Sequence, residues 1–234
     1  MNAAVVLFDD FNASEGHFNL APSFSGSNLN LNASSTAVRD TTFAASREGA
    51  GFERINIVPT TVGSSSRLRF LSGGGTPSNN TAFTTTASGT DGFIGFWLKT
   101  AVSGWTAQIA LDGPLPDFQG GVPKSVIADG LWHLYEWNLD LASDWGAVAG
   151  IAGNTTFEQG SQTIDSIVFR NTATPSSSII DLDFVAKSNS GTVAAITPAA
   201  VPEASSFLAV GVVGLSALGV VWSRKKRAVV QHAA

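Results

Sequence analysis

The chain contains no cysteine, so neither a disulfide framework nor thiolate chemistry is open to it. Histidine is almost as scarce. Only His17 and His133 precede the C-terminal tail, which removes the usual general base from most catalytic schemes. Charge is thin at 13% of residues, and basic charge is thinner still. Nine lysines and arginines stand against seventeen acidic residues before Glu203, a net of −8. Such a surface does not match the phosphate backbone, which excludes nucleic acid as a partner. It suits cations or neutral sugars. No G-x-S-x-G, H-E-x-x-H, P-loop or dinucleotide fingerprint occurs. Sustained helical periodicity is also missing before the tail.

What is present is glycine, serine, threonine and asparagine in quantity, with 15 phenylalanines and 6 tryptophans. That balance suits short strands joined by many turns. Val5 to Phe11 is an apolar run broken by Asp9-Asp10 and reads as a first strand. Residues 52–58, 67–71, 92–99, 106–111, 131–139, 164–170 and 179–185 follow as further strands, several alternating with period two. Leu29 and Leu31 also alternate, within polar turn material. About ten strands at short intervals predict an all-β fold, an antiparallel β-sandwich, over residues 1–187. Residues 188–200 read as a Ser/Ala/Thr/Pro linker that lifts the domain off a membrane.

The tail explains the membrane. Val201, Pro202 and Glu203 lead into residues 204–223, which carry no charge. Twenty uncharged residues at about 1.5 Å rise match a bilayer core of roughly 30 Å. Arg224, Lys225, Lys226 and Arg227 then hold the end, with residues 228–234 as a cytoplasmic tail. Everything before Pro202 is expected outside the cell. Met1-Asn2-Ala3-Ala4 runs straight into Val5-Val6-Leu7-Phe8, too short for an export signal, so the true start is expected upstream.

Residues 201–227 resemble the PEP-CTERM sorting signal of bacterial surface proteins. Such a signal joins a Val-Pro-Glu-Pro-like motif, one membrane helix and a basic cluster. Ala204 departs from the pattern, standing where the family usually has a second proline. The resemblance implies an exosortase-type transpeptidase as partner, cutting near Pro202-Glu203, and a protein of the cell surface.

A second resemblance concerns the domain. Asp129-Gly130 before Trp132-His133-Leu134-Tyr135-Glu136-Trp137 is similar to a strand of galactose-binding-like and lectin-like jelly rolls. Ile164-Asp165-Ser166-Ile167-Val168-Phe169 and Ile180-Asp181-Leu182-Asp183-Phe184-Val185 are similar to the last two strands of the former. The resemblance implies a carbohydrate-binding jelly roll and an extracellular polysaccharide as ligand. Sugar rings stack on exposed aromatic faces. Trp105, Trp137 and Trp145 are the candidates, while Trp97 and Trp132 are assigned to the core.

Asp181 and Asp183 alternate and so leave one face of their strand, with Leu182 and Phe184 turned to the core. Two carboxylates on one side call for neutralisation, and calcium takes several oxygens at about 2.3–2.6 Å. Related jelly rolls hold a structural calcium between first and last strands. The implied ligands are Asp10, Asp181 and Asp183, with Asp9 and Glu15 nearby. The expected role is non-catalytic: structural, adhesive or polysaccharide-binding. The alternative is a small glycan-active enzyme, a hydrolase or lyase using paired carboxylates. Glu136 and Glu158 are available for that, and Glu48 and Glu53 are equally eligible.

Overall fold

The computed structural model describes residues 5–42, 45–73, 81–113, 118–148, 150–151, 156–189 and 191–198. The sorting motif at Val201, Pro202 and Glu203, the apolar run 204–223 and the cluster Arg224 to Arg227 lie outside them. Among the described residues no helix is long and apolar enough to cross a membrane.

Among the described residues thirteen strands form two antiparallel sheets, a β-sandwich. The first sheet runs β10 (Trp132–Asn138), β6 (Phe93–Lys99), β13 (Ser178–Ser188), β3 (Phe52–Ile57), β2 (Thr36–Asp40). β1 (Val5–Asp9) pairs with the far end of β13. The second runs β11 (Trp145–Gly146), β8 (Phe118–Gly121), β7 (Trp105–Asp112), β12 (Gly160–Asn171), β4 (Ser66–Leu71). β5 (Phe83–Thr85) adds to β12, and β9 (Lys124–Ser125) adds to β7.

The two longest strands are consecutive in the chain and sit in the middle of opposite sheets. Alternation decides which side chains meet between them. Ile55, Ile57, Ile94, Phe96, Leu98, Tyr135, Trp137, Ile180 and Leu182 enter from the first sheet. Leu68, Phe70, Ala107, Ile109, Ile167 and Phe169 enter from the second. Phe96 touches both Tyr135 and Trp137, ring centres 6.5 and 5.5 Å apart.

Leu29 and Leu31, expected within polar turn material, form isolated bridges to Arg67 and Pro59. Two departures from the expected structure have local causes. Phe184 does not face the core. A bulge between Asp183 and Ala186 puts its backbone at φ 47° and turns its ring onto the outer face. The stretch read as a linker is, over residues 191–198, packed on the domain. Val193 and Ile196 cover Phe93, Trp97, Leu134 and Phe184. The Val193 amide donates to Glu136 Oε2 at 2.7 Å, and Trp97 Nε1 donates to Thr197 Oγ1 at 3.0 Å. This strap covers one half of the outer face of the first sheet; on the other half the loop at Ala45 meets Trp132 and Lys99, and Ile179 and Val38 stand open to solvent.

Candidate functional site

The open half carries a charged row. Strand register places Trp132, Lys99, Asp181, Arg54 and Val38 side by side across β10, β6, β13, β3 and β2. Arg54 forks onto Asp181 at 2.9 and 3.1 Å, and its third nitrogen reaches Asp40 at 2.6 Å. Lys99 Nζ lies 3.2 Å from Asp181 on the other side. The same ammonium sits over the Trp132 ring, 4.7 Å from its centre, and donates to the Ala45 carbonyl. Asp181 is buried between its two cations, so all three heads are fixed before anything binds.

Beside this row opens a cleft of about 360 Å³, with Lys99, Thr100, Val102, Gly130, Ile179 and Asp181 among its lining. That is the lower part of the range for small-ligand sites. Ile179 is 48% exposed and offers an apolar wall. The Thr100 hydroxyl donates to the Ile179 carbonyl at 2.7 Å and so ties the two rims together. Gly130 stands at φ 77°, in the turn that leads into β10. The arrangement can hold a sugar ring: Val102 and Ile179 take its C–H face, and the Lys99 ammonium, held in place by buried Asp181, takes its hydroxyls. Asp181 is the one carboxylate among the described lining residues, and Asp40, on the far side of the Arg54 guanidinium, is the next carboxylate in the row.

The aromatic candidates require correction. Trp105, Trp137 and Trp145 are buried, at 1%, 0% and 5% exposure, and present no ring face to solvent. Trp105 opens β7 with its side chain inward. Trp137 also points inward, its indole donating to the Val122 carbonyl at 2.8 Å. A side chain at Gly121 would strike that indole, within 2.5 Å. Trp145 stacks on Phe157 at 4.6 Å and donates to the Asn138 carbonyl. Trp97 and Trp132, assigned to the core, are instead half-buried on the outer face. The alternation along β6 and β10 held the signal: Trp97 and Trp132 have the opposite parity to Phe96, Tyr135 and Trp137.

The implied calcium ligands are not brought together. Asp181 is taken by Arg54 and Lys99. Asp183 accepts backbone N–H groups from Arg47, Glu48 and Phe184, and burial pushes its carboxyl up to about 8 against those three donors. Asp10 accepts the Asn12 amide at 3.0 Å in its own turn. Among the described residues no group of three His, Asp or Glu stands ready to hold a metal ion. The donor set therefore does not fit a calcium at Asp10, Asp181 and Asp183.

Of the eligible glutamates, Glu136 carries the strap and Glu48 accepts from the Asn12 amide group at 3.0 Å. Glu158 lies before β12, where its own amide donates to Gln119 Oε1. Glu53 is different. It faces inward from β3 at zero exposure, and among the described residues neither oxygen has a hydrogen-bond partner. Burial, with Glu15 and Asp9 as like charges, pushes its carboxyl up to about 9.

No family model matches the chain, and no curated protein sequence matches it. Among solved structures, the chain is similar to TmCBM61 in complex with beta-1,4-galactotriose. That likeness has 13% identity and a TM-score of 0.33, over 65% of this chain and 80% of the other. At such values it carries no ligand from one protein to the other.

The state of Glu53 makes a pH prediction. Below about 4.5 folded and unfolded chains both hold its proton; between 4.5 and about 9 the folded chain alone does. Stability from this group is thus full below 4.5 and declines as pH rises toward 9. Glu53→Gln is expected to raise the melting temperature at pH 8 by at least the 2–4 °C that about 1 kcal/mol represents in a domain this size. The gain should vanish at pH 4. Thermal melts of both forms at the two pH values check it, and an equal shift at both would remove the titration as cause.

Proposed function

We propose that the chain is an exported, non-catalytic surface protein whose β-sandwich, a jelly-roll ectodomain, binds extracellular polysaccharide through the cleft at Lys99 and Asp181. The observation that carries the ligand reading is the pre-fixed row Trp132-Lys99-Asp181-Arg54 beside an open cleft with an apolar wall. Fixed polar heads lose no side-chain freedom on binding, which favours a weakly held, hydroxyl-rich ligand. Both carboxylates of the row, Asp181 and Asp40, are held by Arg54, which supports a fixed binding surface over acid–base work. Val201-Pro202-Glu203, the uncharged stretch 204–223 and the four cations after it support sorting by an exosortase-type transpeptidase, with one span as membrane tether.

The ligand half is tested by calorimetric titration of the full-length chain, held in detergent, with neutral galacto- and gluco-oligosaccharides. Asp181→Asn and Lys99→Gln should each weaken binding about three- to tenfold, the net worth of one hydrogen bond. Ile179→Ala, at an exposed position, should weaken it without lowering the melting temperature. Release of reducing ends would instead establish an enzyme. The tail half is tested by the C-terminal mass of protein recovered from its native envelope. A mass ending near Val201 is expected, and an intact end at Ala234 would refute processing.

A further inference from the structure

Three of the nine basic residues before Glu203 stand together on the outer face of the second sheet, the one opposite the cleft. Arg67 and Arg69 come from β4, and Arg170 comes from β12 directly across from Arg67. Thr106 of β7 is the next neighbour of Arg170 in that row. Arg69 is neutralised by Asp165, at 2.6 and 3.0 Å. Arg67 donates to the Ser27 carbonyl, and burial with its two arginine neighbours pushes its pKa down. Arg170 has no such partner: among the described residues no carboxylate lies within ion-pair distance of it. Like charges directly opposite on a sheet repel. In a domain of net charge −8, that leaves an uncompensated positive spot.

The spot borders a cavity. Arg170 lines a second cleft, of about 300 Å³, together with Thr106, Ser65, Thr172, Leu29 and Pro123. Its half-buried guanidinium is screened less than a fully exposed one. The Ser65 hydroxyl donates to the Thr172 carbonyl at 3.2 Å, which keeps its own lone pairs turned toward incoming donors. Leu29 is 49% exposed and, with Pro123, supplies an apolar floor.

We propose that this second cleft binds an anionic saccharide, a uronic-acid unit whose carboxylate is gripped by the Arg170 fork. A planar guanidinium matches a planar carboxylate with two parallel hydrogen bonds. Ser65 and Thr106 take ring hydroxyls, and Leu29 and Pro123 meet the C–H face. The inference extends the polysaccharide reading to a second, charge-selective site, so that one sandwich holds neutral and acidic sugar units on its two outer faces.

The test is calorimetric titration of the full-length chain in detergent with tetragalacturonate and with the same oligomer after carboxyl reduction. The wild type should prefer the acidic form by about tenfold, a difference of about 1.4 kcal/mol. Raising salt from roughly 0.05 to 0.5 M should erode the preference. Arg170→Gln should abolish it, and Arg170→Lys should keep part of it, as charge without the fork. Melting temperatures within error of wild type show that both variants fold. A wild type with no preference for the carboxylate, or an Arg170→Gln variant that retains it, overturns the proposal. The first cleft provides the control. Neutral-sugar binding that depends on Asp181 while the acid preference is absent sinks this inference alone. An acid preference that depends on Arg170 without any neutral binding sinks the first-cleft reading alone.

Discussion

The contact between the inner faces of the two sheets bears the whole domain, because the chain has no covalent link to reinforce it. Large apolar rings meet there at close quarters, and each buried phenylalanine or tryptophan is worth several kcal/mol when truncated. That demand consumes the aromatic side chains on one parity of each strand. Trp105, Trp137 and Trp145 belong to it, and their indole-bearing strands are held by packing that a ligand could not replace. Binding surfaces are therefore left to the outward parity, where charge and small polar groups alternate with a few rings.

On the first sheet, β13 organises that outward face. It sits between β6 and β3, and it also takes β1 at its far end. Its bulge at Asp183 to Ala186 divides the surface in two. Beyond the bulge, Phe184 and Ala186 turn outward and are roofed by Val193 and Ile196 of the strap. Before it, Asp181 meets Lys99 and Arg54 on its two flanking strands, and the surface stays open. A buried carboxylate between two cations is costly to desolvate unless its geometry is good. Here the fork from Arg54 and the ammonium of Lys99 supply that geometry, and the same fixed heads make the cleft rigid.

Several longer strands were legible from sequence, two by alternation and two as apolar, aromatic-rich runs. Phe52–Ile57, Ser66–Leu71, Phe93–Lys99 and Trp132–Asn138 all fall within a residue or two of their expected bounds. Short pairing strands such as Lys124–Ser125 and Trp145–Gly146 carry too few residues to show a period. The site was harder. Outward-facing Trp97 and Trp132 share their strands with inward aromatics, so which parity faced the core depended on the partner sheet. The shared face of Asp181 and Asp183 was readable, but their neutralisers were not. Arg54 and Lys99 lie more than 80 residues away in sequence and meet Asp181 only through register. Glu53 shows the reverse case: its alternation with Ile55 and Ile57 places a carboxyl in the core, where no sequence rule expects one.

The central claim is that a neutral glycan lies on the open half of the first sheet. Amide chemical-shift mapping of the full-length chain with a neutral oligosaccharide tests it most directly. Perturbations centred on Lys99, Thr100, Val102, Gly130, Ile179 and Asp181 are predicted. A spectrum that moves instead at Gly121 and Trp145 on the second sheet, or does not move at all, would contradict it.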